Sequence, residues 1–348
     1  MRRASTVYSH MSLSAPTVSV IIPCRNEVRT IAQVLRDLDG QTFPDGFEVV
    51  IADGMSTDGT RALLAELQQA KWDFELRVVD NPAQIIPSAL NRAVEASRGT
   101  YIVRVDGHSR IGPTFLTEIV HPLRSGMADV VGPQIALIPG SSAPLAQAIA
   151  VCSGSALGTG GTASRRTLTA PVDVSHAVMS CYRRDVWERN GGYDEALLSN
   201  EDFDFDVRAH RLGARILALP SPVFKLVARA TLGALAQQRW RYGWWKGAVL
   251  HKMPSSLHVR QALPVLALLA IIGLVVAVTL GALSASVLAW SAIMYCGISV
   301  MTALAEAKRY PTAQSLIVGM VAAPVIFAII HGVWACGVCA GLVVNPRR

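Results

Sequence analysis

The later part of the sequence has almost no charge. Residues 262–304 contain no Asp, Glu, Lys or Arg, and residues 310–346 contain none either. In the whole chain 16% of residues are charged and 51% are hydrophobic, a composition that excludes a disordered protein. One helix over 262–304 would be about 65 Å long, whereas a bilayer core is about 30 Å thick, so two crossings fit better. We expect about three α-helical membrane spans, at about 262–283, 285–304 and 314–337 within 262–344, with a re-entrant or interfacial third segment as the alternative.

The sequence also lacks the features of several other protein classes. Residues 1–16 have no apolar core, so we expect a flexible tail and not a secretory signal. The six cysteines are scattered and indicate no disulfide framework. Residues 23–28, which follow the first strand pattern, contain no glycine, and this excludes the dinucleotide-binding fingerprint. The net charge of +7, beside three apolar segments, favours anionic lipids and phosphorylated substrates over nucleic acid.

The charged first part of the chain alternates between strand and helix patterns. Buried-strand runs occur at 18–22, 47–52, 76–79 and 101–105, separated by helix patterns at 27–38, 60–69 and 86–97. This alternation predicts an open, mostly parallel α/β sheet wound with helices. Ligands of such sheets bind at the carboxyl ends of the strands, which is where Asp53 and Asp106 fall.

A carboxylate and an imidazole follow the fourth strand pattern. Asp106 and His108 are two residues apart, so in extended chain they face the same way and can hold one divalent ion. Oxygen ligands suit Mg²⁺ or Mn²⁺, and an imidazole favours Mn²⁺. A plain Asp-Gly turn is the alternative.

A second acid cluster lies at residues 200–206. Acids at a helix start complement the helix dipole, which is one explanation. These acids also alternate with phenylalanines, and a buried acid is costly unless it is paired or functional. Taken with Asp53 and Asp106, Asp202 is expected to be functional. His176 lies between the two motifs and is either a pocket residue or a satisfied core histidine.

Four motifs, in this order, resemble glycosyltransferase family 2. They are residues 18–27 (VSVIIPCRNE), 50–60 (VIADGMSTDGT), 104–108 (RVDGH), and 191–202 with its GGYD and NED. Their order and spacing are those of the GT-A fold, over about residues 17–250. The DGHS sequence at 106–109 and the C-terminal spans resemble the ExoA-like branch, associated with succinoglycan-type exopolysaccharide assembly.

The resemblance implies a role for each matching residue. Asp202 matches the catalytic base, Asp53 the residue that binds the nucleotide base, and Glu27 a residue that helps to hold the nucleoside. The full nucleotide-binding set is Pro23, Arg25, Glu27, Asp53, Asn91, Arg104 and Asp106. A Mn²⁺ or Mg²⁺ ion would be held by Asp106 and His108, although His108 stands where the family motif has an aspartate.

The implied reaction is a single displacement that inverts the anomeric carbon. Asp202 would take the proton of the acceptor hydroxyl as the sugar leaves its nucleotide, expected to be UDP. The expected acceptor is a lipid-linked saccharide, a polyprenyl-diphosphate saccharide. One alternative is direct transfer to polyprenyl phosphate, and another is a catalytically inactive membrane scaffold.

The segment 224–261, between the expected catalytic domain (17–223) and the spans, mixes Trp and Tyr with Arg and Lys. This composition suits the lipid head-group region, so we expect an interfacial amphipathic segment, with simple anchoring as the alternative role. Its QQRW sequence at 237–240 is one residue short of the processive Q-x-x-R-W motif, which favours single sugar addition. The residues expected at the acceptor or its phosphates are Glu201, Gln238, Arg239, Trp240 and Arg241.

The basic residues between the second and third spans predict the orientation of the chain. Lys308 and Arg309 favour placing this loop in the cytoplasm. We therefore expect a multi-pass protein of a bacterial inner membrane, with its catalytic domain cytoplasmic and in contact with membrane lipids.

Overall fold

Strands and helices alternate through the first part of the chain. The computed structural model describes residues 17–159, 168–197, 200–252, 254, 257 and 259–344, so the expected tail at 1–16 lies outside the described residues. The first elements are β1 (Val18–Cys24), α1 (Ile31–Asp39), β2 (Phe47–Asp53), α2 (Thr60–Gln69), β3 (Glu75–Asp80), α3 (Ile86–Ala96) and β4 (Tyr101–Arg104). β1 pairs in parallel with both β2 and β4, and β2 pairs in parallel with β3. All the expected strands and helices of this half are present.

The second half of the domain widens the same sheet. Its elements are α4 (Phe115–Arg124), β5 (Val130–Ile138), α5 (Pro144–Gly154), α6 (Ala156–Thr159), β6 (Val172–Asp173), β7 (Cys181–Arg183), α7 (Arg184–Asn190), α8 (Glu201–Arg211) and β8 (Ile216–Val227). The strand order is β3-β2-β1-β4-β7-β5-β8-β6, and β7 joins the two halves by antiparallel pairing with β4 and β5. The sheet is therefore mixed but mostly parallel, as expected.

Each face of the sheet carries its own hydrophobic core, because the strand residues alternate between the two faces. Ile22 and Val49 pack with α1 and α4 on one face. Ile21 and Val50 pack on the other face with α3 and with Phe205 of α8. The helix that carries Asp202 is thus anchored on the sheet by its own buried phenylalanine.

Five further helices follow among the residues that the structure describes. They are α9 (Leu232–Lys252), α10 (Val259–Thr279), α11 (Ser286–Ala305), α12 (Ala313–Ala328) and, after a π-helical turn (Ile329–Val333), α13 (Trp334–Val343). In the described part of the chain, three continuous helices are long and apolar enough to cross a membrane: Val259–Thr279, Ser286–Ala305 and Ala313–Val343. They lie close to the expected spans, and the last continues further than 337. Residue 224, the expected start of the interfacial segment, lies inside β8.

Helices α9 and α13 cross at four glycines, two on each helix. A Cβ atom added at Gly341 would lie 2.0 Å from the carbonyl oxygen of Trp244, and one at Gly243 would lie 2.1 Å from that of Trp334. Side chains cannot occupy such positions, so the two backbones approach as only glycine allows. Each helix supplies a G-x-x-x-G sequence, which is typical of tight helix pairs in membranes. Helix α9 is therefore docked on the last apolar helix.

The other side of α9 packs on the catalytic domain. Trp245, Ala248 and Val249 form a buried cluster with Phe203 and Val207 of α8. Helix α9 consequently contacts both α13 and the helix that begins with Glu201 and Asp202.

Candidate functional site

The Arg104 side chain joins the strand-end acid to the acid pair of α8. Its Nε atom donates to Oδ1 of Asp106 at 3.1 Å, and its Nη1 atom donates to Oε1 of Glu201 at 3.3 Å. The Arg104 side chain is 6% exposed and that of Glu201 is 8% exposed. Burial and the neighbouring charge of Asp202 raise the pKa of Glu201, and Arg104 opposes this rise. The structure gives Arg104 this bridging contact, and its predicted binding of nucleotide stays a prediction.

Asp202 lies in the first turn of α8, next to Glu201. Its Oδ1 atom accepts a hydrogen bond from the backbone N–H of Phe203 at 2.8 Å. The residue is half-buried, so the carboxylate is held but is still open to a reactant. Arg104 thus brings Asp106 and the Glu201–Asp202 pair, which are far apart in sequence, to one end of the sheet.

His108 and Glu27 form a second contact between the strand ends. The Nδ1 atom of His108 lies 2.8 Å from Oε1 of Glu27, and Glu27 also accepts from the Thr30 hydroxyl at 2.8 Å. A Cβ atom at Gly107 would lie only 3.1 Å from Cγ of Glu27, so Glu27 packs directly on the turn after Asp106. The hydrogen bond with Glu27 raises the pKa of His108, although burial opposes it.

The donor set at this turn fits a divalent cation that takes part of its coordination from substrate. Arg104 occupies one oxygen of Asp106 and leaves the other, and the contact with Glu27 leaves Nε2 of His108. A carboxylate that holds the second ring nitrogen of a histidine ligand is common around protein metal sites. Within the described ranges no group of three His, Cys, Asp or Glu side chains converges as a metal site. Mg²⁺ and related ions are often bound by one or two protein ligands together with phosphates and water.

Asp53 is buried at the end of β2 and is held on several sides. It accepts from the Ser56 hydroxyl at 2.6 Å and from Nη1 of Arg61 at 2.8 Å, and Arg61 also reaches Asp80. The structure therefore places Asp53 at the carboxyl end of β2, as expected, and there it orders the turn that follows the strand. Its binding of the nucleotide base stays a prediction.

Pro23 and Arg25 also lie at the carboxyl ends of the parallel strands. Pro23 lies in the last part of β1, and Arg25 follows the strand. A Cβ atom at Gly54 would lie 3.2 Å from the Arg25 side chain, so Arg25 covers the turn after Asp53. The exposed Arg25 guanidinium donates to Oε1 of Gln84 at 2.6 Å. The two residues thus lie at the carboxyl end of β1, beside the turn that follows Asp53.

Asn91, which we predicted to bind nucleotide, lies in a network of protein hydrogen bonds. Its side-chain nitrogen donates to the Tyr193 carbonyl at 2.9 Å and to Glu195 at 3.0 Å. Its side-chain oxygen accepts from the Tyr193 backbone at 2.8 Å and from the Trp187 indole at 3.2 Å. These four contacts use all the hydrogen-bonding positions of the amide, so Asn91 ties α3 to the turn before α8. Its binding of nucleotide stays a prediction.

The expected acceptor residues of α9 are on its first half, ahead of the contact with α8. Gln238 donates to the Tyr242 hydroxyl at 3.4 Å, the Arg241 guanidinium lies 5.8 Å from the Tyr242 ring centroid, and Trp240 is 46% exposed. Arg239 lies between them, and its contact with an acceptor stays a prediction, as does that of its neighbours.

Lys246, which the sequence analysis did not select, is a charged residue of α9 that contacts α8. Its Nζ atom lies 3.9 Å from the ring centroid of Phe203, the residue after Asp202. The Lys246 side chain is buried, and burial lowers its pKa to about 7. The sequence did contain a pattern that could have drawn attention to Lys246. The residue lies between Gly243 and Gly247, the two glycines through which α9 packs on α13.

Comparisons with known proteins agree with this architecture. A family model described as glycosyl transferase family 2 matches residues 19–191. The succinoglycan biosynthesis protein ExoA of Rhizobium meliloti is 30% identical over 97% of this chain and 98% of its own length. A Methanococcus voltae protein named dolichyl N-acetyl-alpha-D-glucosaminyl phosphate 3-beta-D-2,3-diacetamido-2,3-dideoxy-beta-D-glucuronosyltransferase is 22% identical, over 68% of this chain and 74% of its own.

A solved structure shares the fold. The mannosyltransferase PcManGT of Pyrobaculum calidifontis, in complex with GDP-Man and Mn²⁺, aligns with a TM-score of 0.56. It is 21% identical, and the alignment covers 90% of this chain and 87% of that one. The expected GT-A fold is confirmed.

Proposed function

This chain belongs to glycosyltransferase family 2, in its ExoA-like branch, and from that premise we propose its substrates and mechanism. The enzyme is a glycosyltransferase. It transfers a single sugar from a nucleotide donor, a UDP-sugar, to a lipid-linked saccharide, and the anomeric carbon is inverted. The proposed setting is exopolysaccharide synthesis at the cytoplasmic face of a bacterial inner membrane.

One observation carries the mechanism: Arg104 contacts both Asp106 and Glu201. Through this contact Asp106, which is proposed to serve the donor diphosphate, and Glu201, the neighbour of the proposed base Asp202, are held at one end of the sheet. Transfer requires donor and acceptor to be held together in line, and this arrangement supports that requirement.

Asp202 is the proposed base. One of its oxygens is held by the Phe203 backbone N–H, so the other can accept the proton of an acceptor hydroxyl as that oxygen attacks the sugar. Glu201, buried beside it, fixes the turn through Arg104 and is proposed to border the acceptor. The bond from sugar to diphosphate breaks as the new glycosidic bond forms, and the nucleoside diphosphate leaves.

Asp106 and His108 are the proposed ligands of a Mn²⁺ or Mg²⁺ ion. When bound, such an ion neutralises the charge that builds on the leaving diphosphate. The archaeal neighbour binds Mn²⁺, and the Asp106–His108 donor set supports the same class of ion here. Because that neighbour also binds a guanosine donor, GDP belongs in any binding test.

The names of two relatives support the proposed acceptor and setting. ExoA is named for succinoglycan biosynthesis, and the Methanococcus voltae protein is named for a dolichyl-phosphate-linked sugar acceptor. The three long apolar helices and the exposed Trp240 on α9 support a site that works next to a membrane. Lipid-linked acceptors are confined to that location.

Nucleotide binding by the detergent-purified full chain tests the donor side. We expect UDP to bind more tightly with Mn²⁺ than without it, and Asp106→Ala to lose most of that gain. Asp73→Ala, which removes an exposed acid, is the matched control and should bind as the wild type does. Binding of GDP but not UDP would replace the proposed donor, and no binding of either would contradict the proposed site.

Transfer assays with Asp202→Asn test the acceptor side. Removing a general base lowers the rate by about 100- to 10,000-fold, and UDP binding should be unchanged. The acceptors to compare are a polyprenyl-diphosphate saccharide and polyprenyl phosphate. A phosphate acceptor needs no strong base, so transfer to polyprenyl phosphate that tolerates Asp202→Asn would overturn the saccharide acceptor.

A further inference from the structure

The last apolar helix, Ala313–Val343, contacts the catalytic domain at its start. Arg309 and Tyr310 lie just before the helix. Arg309 donates from Nη1 to the Gly154 carbonyl at 3.3 Å, and the Tyr310 hydroxyl lies 3.8 Å from Sγ of Cys152. Cys152 and Gly154 belong to α5, which follows β5 of the sheet. The first end of this helix is therefore on the side of the catalytic domain.

The middle of the helix contacts the same part of the domain. Ala323 and Phe327 of α12 are buried in one cluster with Ala148 of α5. In the π-helical turn, Nε2 of His331 lies 3.0 Å from the carbonyl oxygen of Leu157 in α6. The contact with the catalytic domain thus continues through α12 and the turn that follows it.

The other end of the helix, α13, packs on α9. A Cβ atom at Gly341 would lie 2.0 Å from the carbonyl oxygen of Trp244. Trp245, the next residue of α9, is buried with Phe203 of α8. Phe203 directly follows Asp202, the proposed base. Both ends of the last apolar helix are therefore tied to the catalytic domain.

The charges of α9 limit how deep α13 can lie in a membrane. Helix α9 carries four basic residues, at 239, 241, 246 and 252. A charged side chain at the centre of a bilayer is costly, so a helix with four of them lies outside the hydrocarbon core. The backbone of α13 touches that of α9, so α13 is held at the same level.

A helix that crosses the bilayer could not make both sets of contacts. The 31 residues of the last apolar helix are about 46 Å long, whereas the bilayer core is about 30 Å thick. If this helix crossed, Gly341 would lie near the far surface. Gly341 instead contacts α9, which packs on α8 of the catalytic domain.

The last apolar helix also has an apolar stripe that faces away from the domain. Ile317, Val321 and Val325 are exposed at intervals of four residues, so they share one side of the helix. Helix α11 meets the helix beside them, where the Tyr295 hydroxyl donates to the Pro324 carbonyl at 2.9 Å. An exposed apolar surface of this kind marks a contact with a partner or a membrane. Because the stripe is continuous with the exposed apolar surface of α11, acyl chains are the partner that fits it.

We propose that the last apolar helix does not cross the membrane. It lies along the leaflet on the side of the catalytic domain, with its outward stripe in the acyl chains. The chain then crosses the bilayer twice, through α10 and α11. The inference goes beyond the proposed function and rests on it only for the side of the membrane, which is the cytoplasmic one.

The basic residues that flank the helix in the sequence support two crossings. Lys308 and Arg309 precede the helix, and Arg347 and Arg348 follow it. Basic flanks favour the cytoplasmic side of a membrane. Three crossings would separate these two pairs, whereas two crossings keep them on one side.

The test is labelling of single cysteines in the full chain by a membrane-impermeant maleimide, in spheroplasts before and after lysis. The native cysteines that are not buried are first changed to serine: Cys296, Cys336 and Cys339. Asp73→Cys reports the side of the catalytic domain, and Ser284→Cys reports the turn between α10 and α11. A cysteine added after residue 348 reports the side that follows the last apolar helix. We expect Asp73→Cys and the added cysteine to react from one side and Ser284→Cys from the other.

The other labelling patterns separate this inference from the proposed function. Reaction of the added cysteine from the side of Ser284→Cys would overturn the inference, because the helix would then cross. Reaction of all three from one side would also overturn it, because α10 and α11 would then make no crossing. If Asp73→Cys and the added cysteine both react from outside, the inference holds and only the proposed cytoplasmic setting fails.

Spin labels measure the depth of the helix in lipid vesicles, through collisions with oxygen and with a water-soluble nickel chelate. Val325→Cys and Val343→Cys, about 27 Å apart along the helix, should lie at equal depth. The control pair in α10, Leu266→Cys and Val276→Cys, is about 15 Å apart along a crossing helix and should differ in depth. Unequal depths in the last apolar helix would overturn the inference. A label at 325 that meets neither reagent would place a second copy on the stripe and overturn the contact with lipid.

Discussion

The two halves of the site are held in place by different means. Asp106 follows β4, which is paired on both sides inside the sheet, so backbone hydrogen bonds fix its position. Asp202 begins a helix that packs on α9, and α9 packs on α13. The part of the site with Asp106, the proposed donor half, thus belongs to the sheet. The part with Asp202, the proposed acceptor half, depends on side-chain packing that extends to the last apolar helix. We infer that donor binding and sugar transfer can be separated by mutation.

The largest effect is expected from breaking the contact between the halves with Arg104→Met. Removing one partner from a buried ionic cluster costs about 3–5 kcal/mol, because Asp106 and Glu201 lose their shared cation. Sugar transfer should fall by about 100-fold or more, since donor and acceptor groups are no longer held together. Thermal unfolding and initial rates measure the two losses.

A matched control for that variant is Arg110→Met. Arg110 also pairs with an aspartate, Asp37, but its side chain is 59% exposed. Such surface pairs contribute about 1 kcal/mol or less, so little should change. A wild-type rate of sugar transfer by Arg104→Met would show that transfer does not require the contact of Arg104 with Asp106 and Glu201.

A smaller effect is expected at the glycine crossing, where Gly341→Leu forces α13 away from α9. Overpacking of this kind typically costs about 1–3 kcal/mol. Because α9 supports α8, we expect sugar transfer to fall by about tenfold while UDP binding stays unchanged. Gly273→Leu in α10 is the control, since a Cβ atom there has nothing within 4 Å. A parallel loss of UDP binding would show that the halves move as one body.

The smallest effect is expected from Lys246→Met, which should change how the free energy of unfolding depends on pH. Burial lowers the pKa of Lys246 from 10.5 to about 7. Between these values the unfolded chain binds a proton that the folded chain does not, so wild-type stability rises with pH, by at most about 1.4 kcal/mol per unit. The variant should lack this slope between about pH 7.5 and about pH 8.5.

Unfolding of both proteins at the two pH values measures that slope. Lys71→Met, which removes an exposed lysine, should keep the wild-type slope. Equal slopes in wild type and Lys246→Met would mean that this ammonium is not buried between α8 and α9.

The sequence predicted the donor half well, because buried strands have a simple pattern. We expected β1 to end at residue 22, before Pro23, yet the strand continues to Cys24. Pro23 is tolerated because the pairing of β1 with β4 has already ended at Ile21, so its missing N–H costs no ladder bond on that side. Asp53 and Asp106 therefore lie at the carboxyl ends of strands, as the alternation of strand and helix patterns predicted.

The acceptor half was harder to predict because its contacts join distant segments. Arg104 and Glu201 are 97 positions apart, and no periodic pattern records such a contact. The basic and aromatic composition of α9 indicated a helix at the lipid surface. Its two glycines at 243 and 247, matched by those at 337 and 341, are the sequence signal for the docking that the structure reveals.

The crossing of α9 with α13 also sets an order of events during synthesis of the chain. Helix α9 ends at Lys252 and its partner begins at Trp334, so roughly 80 residues must be added before the two can meet. At about 5–20 residues per second this takes on the order of 4–16 s. During that interval α9 lacks its partner α13, so α8 lacks the support of a docked α9. We therefore expect full sugar transfer only after the last helix has been made.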